Sequence, residues 1–260
     1  MRSLAVLMAL ALGASAATAE VRTKVVEYKQ GDTVLEGYLA WDDSTHGPRP
    51  GVLVVHQWMG LTEYEQMRAS QLAGLGYVAF AVDVYGKGVR PNSPAEAGAL
   101  AGKYKGDRAL LRSRLNAGLA VLRGNDMVDP KRIAAIGYCF GGTSVLELAR
   151  SGADIAGVVC FHGGLDAPNP DDGKAIKAKV LILHGADDPY SSPKDIAALQ
   201  QELRAGGVDW QMVLYSGAVH SFTQKAAGSD PSKGAAYNAK ADARSWRAMR
   251  DFFAEIFKRG

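Results

Sequence analysis

Residues 132–142 read RIAAIGYCFGG. The run Arg132–Gly137 is short and almost continuously apolar, as a strand buried on both faces must be. It passes through G-x-C-x-G straight into Phe140–Arg150, whose apolar residues recur at helical spacing. A sharp strand-to-helix turn of this composition is the context of a nucleophile elbow. Gly137 and Gly141 lie two residues either side of Cys139, where close backbone crossings leave no room for a Cβ. Such a turn lifts the Cys139 sulfur above the sheet at a helix N-terminus, where the dipole favours thiolate over thiol. The N–H of Phe140 is then placed to bind an oxyanion.

Outward from this segment, short apolar runs alternate with amphipathic ones. Residues 51–56, 77–82, 155–161, 180–184 and 210–215 read as strands, and 63–75, 107–123, 193–205 and 240–258 as helices. Thr23–Lys29 and Thr33–Trp41 flank Gly31-Asp32 and read as an antiparallel hairpin. Strand–helix–strand alternation forces parallel pairing with right-handed crossovers, so the expected architecture is α/β, with helices on both faces of one mostly parallel sheet. No repeat and no linker divides the chain, so a single domain is expected over 20–260. Tyr85–Tyr104 and Phe222–Asn238 fall outside the alternation and read as long connections of the kind that form lids or surface excursions.

Reactive groups recur at the carboxyl ends of these strands, where open parallel sheets place ligands. The strand at 180–184 is followed by Gly185-Ala186-Asp187-Asp188-Pro189, and the strand at 210–215 by Ser216-Gly217-Ala218-Val219-His220. The order nucleophile, acid, histidine is that of an α/β-hydrolase triad. His220 is the candidate general base for Cys139. Asp188 is the candidate orienting acid, with Asp187 as the alternative or as a turn-capping carboxylate. His56, His162 and His184 also fall at strand ends. They lack H-E-x-x-H or paired i, i+4 spacing, so no metal site is expected; His56 and His162 are read as lining the site or bonding to backbone. His46 falls in a surface loop.

Composition narrows the class further. The 260 residues carry 30 basic and 27 acidic side chains, a net +3 without charge blocks. This gives no warrant for a nucleic-acid partner. Residues 1–19, MRSLAVLMALALGASAATA, place Arg2 before an apolar run and end in an A-x-A cleavage pattern. That is a secretory signal peptide, so the mature protein is expected to be periplasmic and to have no stable membrane association. The two cysteines, Cys139 and Cys160, are too few for a disulfide framework.

The stretches GVLVVHQWMGL (51–61), DVYG (83–86), GYCFGG (137–142), FHGG (161–164), HGADD (184–188) and HSF (220–222) together resemble the dienelactone hydrolase family of α/β-hydrolases. The resemblance spans about 25–257. It implies an α/β-hydrolase fold, a Cys139–Asp188–His220 triad and hydrolysis of a small-molecule ester or lactone through an acyl-cysteine, without a cofactor. It also implies the N–H of Trp58 as second oxyanion donor. Gln57 stands where family members carry a thiol-contacting glutamate, and Gln224 where they carry a carboxylate-binding arginine; Lys87, Arg90 or Lys103 could substitute. Gln57, Tyr85, Phe222 and Gln224 are the candidate substrate-binding or thiol-contacting residues, with Tyr138 a further candidate wall. Two other functions remain open: a catalytically silent ligand-binding protein, and a thiol redox protein using Cys139 and Cys160.

Overall fold

The apolar runs pair into one eight-stranded sheet. The computed structural model describes residues 20–258, so the expected signal peptide at 1–19 lies outside the described residues. The strands are β1 (Val21–Gln30), β2 (Thr33–Asp42), β3 (Arg49–Val55), β4 (Val78–Val82), β5 (Val128–Tyr138), β6 (Gly157–Phe161), β7 (Lys179–Gly185) and β8 (Trp210–Tyr215). They lie in the order β1-β2-β4-β3-β5-β6-β7-β8. The β1–β2 hairpin and the β2–β4 pair are antiparallel, and every later pair is parallel.

The helices are α1 (Glu63–Ala73), α2 (Pro94–Gly106), α3 (Arg108–Arg123), α4 (Phe140–Arg150), α5 (Pro193–Ala205) and α6 (Ala239–Ile256). Period-two alternation along each strand divides the core in two. Leu53, Val55, Ile133, Ala135, Val158, Val180 and Ile182 face a layer built from α2, α3, α4 and α5. Val52, Val54, Ala134, Ile136, Val159, Leu181 and Leu183 face α1 and α6. With both faces covered, the central strands need apolar residues at every position, which explains their unbroken hydrophobic runs.

The expected hairpin, the six other strands, the five helices and the single α/β domain are all present. The exception is Tyr85–Tyr104, expected to be a connection, which turns into α2 from Pro94 onward. Ser93 caps this helix by accepting from the Glu96 N–H, and Pro94 occupies its first turn. Only Ala97, Ala101 and Tyr104 are buried, so its apolar stripe is too thin to stand out in sequence. The other long connection folds back on the site. The His220 N–H donates to Gly234 O at 3.2 Å and the Ala236 N–H to His220 O at 3.0 Å, so 234–236 holds His220 as a one-residue bridge.

Candidate active site

β5 ends at Tyr138 and α4 begins at Phe140, leaving Cys139 alone to reverse the chain at φ 55°, ψ −114°. A non-glycine residue pays for positive φ, and here the surroundings fix it. The Cys139 N–H donates to Phe161 O at 3.0 Å and to His162 Nδ1 at 3.2 Å. The Cys139 carbonyl accepts from the Gly142 N–H at 2.9 Å. A Cβ on Gly137 would lie 2.0 Å from Gly141 O, and one on Gly141 would lie 2.2 Å from Val55 O. Only glycine allows this crossing.

Three side chains from three loops meet above the sheet. Cys139 Sγ lies 3.1 Å from His220 Nε2, and His220 Nδ1 lies 2.9 Å from Asp188 Oδ2. Asp188 is buried, and its other oxygen accepts from the Tyr190 N–H at 2.9 Å. The neighbouring Asp187 is exposed and accepts from the Gly217 N–H at 2.8 Å, which makes it the turn-capping carboxylate of the pair. Burial alone would lower the pKa of His220. Its hydrogen bonds to Asp188 and Cys139 and their charges outweigh that and raise it to about 10.

Cys139 and His220 open onto a cavity of about 380 Å³, within the range that suits a small molecule. Trp58 and Phe140 line it, as do Thr143 and Lys105. Among the described residues no backbone carbonyl accepts from the Trp58 N–H or the Phe140 N–H.

Four expected contact residues do not line this cavity. Tyr85 is buried behind it, and its hydroxyl donates to Trp58 O at 2.9 Å. Ser221 turns at φ 56° and sends Phe222 into the core, against His162 and Tyr215. Gln57 and Gln224 are both buried; the Gln57 N–H donates to Glu65 Oε1 at 3.3 Å and the Gln224 N–H to Ser221 O at 2.9 Å. These residues build the walls from behind. Tyr138 likewise belongs to the core, stacked on Phe161.

None of the three cations considered as anion partners reaches in. Lys87 pairs with Glu27, Arg90 Nε donates to Leu61 O at 2.7 Å, and Lys103 lies over the Tyr104 ring. The cavity cation is Lys105, which sequence reasoning missed. It follows Ala101 by one helical turn, so once α2 is known both fall on the cavity-facing side.

The remaining strand-end groups are held in place by backbone and side chains. His56 and His162 both hydrogen-bond to backbone, at Gln57 O and Val84 N for the first and Cys139 N for the second. His162 Nε2 meets Thr223 Oγ1 at 2.8 Å. Burial lowers the pKa of His56 to about 4 and that of His162 well below the usual histidine value. His184 Nε2 lies 3.7 Å from Asp188 Oδ2. Among the described residues no group of three or more His, Cys, Asp or Glu side chains is placed to hold a metal ion. Cys139 and Cys160 are both free, and burial pushes the Cys160 thiol up to about 12. A thiol held neutral in this way is a poor redox partner, which weighs against the redox reading.

Known proteins match this chain over nearly its whole length. The profile of the dienelactone hydrolase family covers residues 35–257. The solved structure of m3DLH superposes with a TM-score of 0.88 at 42% identity, over 92% of this chain and 99% of that one. A dienelactone hydrolase-like promiscuous phosphotriesterase from metagenomic libraries superposes with a TM-score of 0.87 at 41% identity, over 93% of this chain and all of that one (100%). A protein of Aquifex aeolicus named "Putative carboxymethylenebutenolidase" is 24% identical over 240 residues, 90% of this chain and 99% of its own length. The chain belongs to the dienelactone hydrolase family.

Proposed function

We propose that the protein hydrolyses carboxylic esters or lactones with Cys139 as nucleophile. The observation that carries this is the unbroken row Cys139 Sγ–His220–Asp188 opening onto the cavity. The Cys139 thiolate attacks the carbonyl carbon, and the oxyanion that forms accepts from the N–H groups of Trp58 and Phe140. As the tetrahedral intermediate collapses, His220 Nε2 gives its proton to the departing alkoxide, leaving an acyl-cysteine. His220 then takes a proton from water, hydroxide adds to the acyl carbon, and the thiolate departs with the acid as product. Asp188 accepts from His220 Nδ1–H throughout, which fixes the tautomer and compensates the imidazolium. With glutamine at 57, thiol activation falls to His220 and the α4 N-terminus, since an amide takes no proton at neutral pH.

The test is turnover of p-nitrophenyl esters and simple lactones by wild type and Cys139→Ala. Loss of at least about a thousandfold in kcat/KM is expected, as for other nucleophile deletions. Unchanged turnover in Cys139→Ala overturns the assignment, and no turnover by wild type favours the ligand-binding alternative. A second reading, phosphotriester hydrolysis at the same site, is favoured by the 41% identity to the promiscuous phosphotriesterase; paraoxon in the same assay addresses it. Export as a periplasmic protein is part of the proposal and rests on the pattern of residues 1–19.

A further inference from the structure

Behind the cavity wall a buried histidine holds the peptide that carries one of the two free N–H groups. We infer that His56 is a positioning residue for the oxyanion site: its Nδ1–H bond to Gln57 O sets the plane of the 57–58 peptide and so aims the Trp58 N–H into the cavity. The inference rests on the hydrolase reading above and adds a residue to it.

Gln57 C=O and Trp58 N–H belong to the same planar peptide unit. No peptide bond among the described residues is cis, so that C=O and N–H point in opposite directions. His56 is fully buried on the carbonyl side, with Nδ1 2.6 Å from Gln57 O. The N–H therefore points away from the core, on the side where Trp58 lines the cavity. The Val84 N–H reaches His56 Nε2 at 3.2 Å, which makes Nε2 the acceptor and leaves the ring proton on Nδ1. Among the described residues the only other group bonded to Gln57 O is the Gly60 N–H, at the longer distance of 3.2 Å within the same turn. That bond moves with the turn and cannot anchor it to the rest of the fold, whereas His56 sits at the end of β3.

The imidazole also touches the rest of the site. It packs edge-on against Tyr85, with centroids 4.6 Å apart, and Tyr85 pins the next carbonyl, Trp58 O, at 2.9 Å. It stacks on the ring of Phe140, the residue carrying the other N–H, at 5.8 Å. One buried ring thus spans both donors.

The experiment compares His56→Leu, His56→Asn and His56→Gln in two reactions of Cys139: p-nitrophenyl acetate turnover, and alkylation by iodoacetamide followed by intact mass. Ester attack generates an oxyanion; displacement of iodide by the thiolate does not. In Asn the side-chain amide nitrogen occupies roughly the place of Nδ1, and in Gln that of Nε2. Leu and Gln are expected to lose about tenfold or more in kcat with little change in KM, by analogy with loss of an oxyanion donor. Asn is expected to recover most of that loss, and the alkylation rate to stay within about twofold of wild type in all three. Should the Leu variant fail to fold, the Asn–Gln contrast carries the same information. Unchanged kcat in Gln, Asn no better than Gln, or alkylation falling in step with turnover overturns the role of His56. Full turnover by Cys139→Ala in the same series would instead remove the Cys139 nucleophile, and no turnover by wild type the hydrolase reading itself.

Discussion

The imidazole of His220 sits between two groups that both favour its charged form, and this outweighs the cost of its burial. In the mechanism proposed above this imidazolium is the acid that protonates the departing alkoxide, its charge compensated by Asp188. The same residues show what sequence can and cannot distinguish. Cys139 and His220 are legible because spacing and order single them out. Asp187 and Asp188 are adjacent carboxylates in one turn, and only the fold decides that one points at His220 and the other caps Gly217. Phe222 and Gln224 are illegible for a related reason: a single left-handed residue, Ser221, turns their side chains from the cavity into the core. His56 was legible as a backbone-bonding histidine, but its relation to Trp58 depends on which face of a peptide it meets.

At the scale of elements, α4 carries the elbow and every one of its residues is buried. A helix enclosed on all sides must neutralise whatever charge it contains. Arg150 Nη2 lies 2.7 Å from Glu202 Oε2 on α5, and its Nη1 2.8 Å from Glu147 Oε1; all three side chains are at least 99% buried by area, with exposures of 1%, 0% and 0%. Arg150→Leu leaves Glu202 without its partner and is expected to cost about 3–5 kcal/mol. Arg150→Leu combined with Glu202→Leu should recover much of it, since neither charge then remains alone. Urea unfolding of the three proteins checks this; a loss below about 1 kcal/mol in the single variant contradicts it. Elements with a strong apolar stripe were readable in sequence. α2 was not, because alanine, glycine and lysine give it little contrast, and Lys105 went unseen with it.

For the whole molecule, the buried histidines set the response to acid. Burial is the main cause that lowers the pKa of His56, His162 and His184, to about 4 for His56 against the ordinary 6.5. Below pH 6.5 the unfolded chain protonates at these positions ahead of the native chain, most of all at His56 and His162, so stability falls as pH drops from there towards 4. With about 1.4 kcal/mol per proton per pH unit, the two protons of His56 and His162 give a slope of up to ~3 kcal/mol per unit, to which His184 adds in the same direction. Glu65, whose pKa burial raises, opposes this by at most one proton as it titrates. Urea unfolding between about pH 5 and pH 7 should show a steep loss on the acid side, and a flat profile would contradict the burial of these rings. The covalent step through Cys139 is the core of the proposed chemistry. Intact mass of the protein quenched in acid during turnover of p-nitrophenyl acetate tests it most directly, with peptide mapping to locate any adduct. One acetyl group is expected, carried by Cys139 and absent from Cys139→Ala. Steady turnover with no adduct on quenched wild type, or with the acetyl group on another residue, would contradict it.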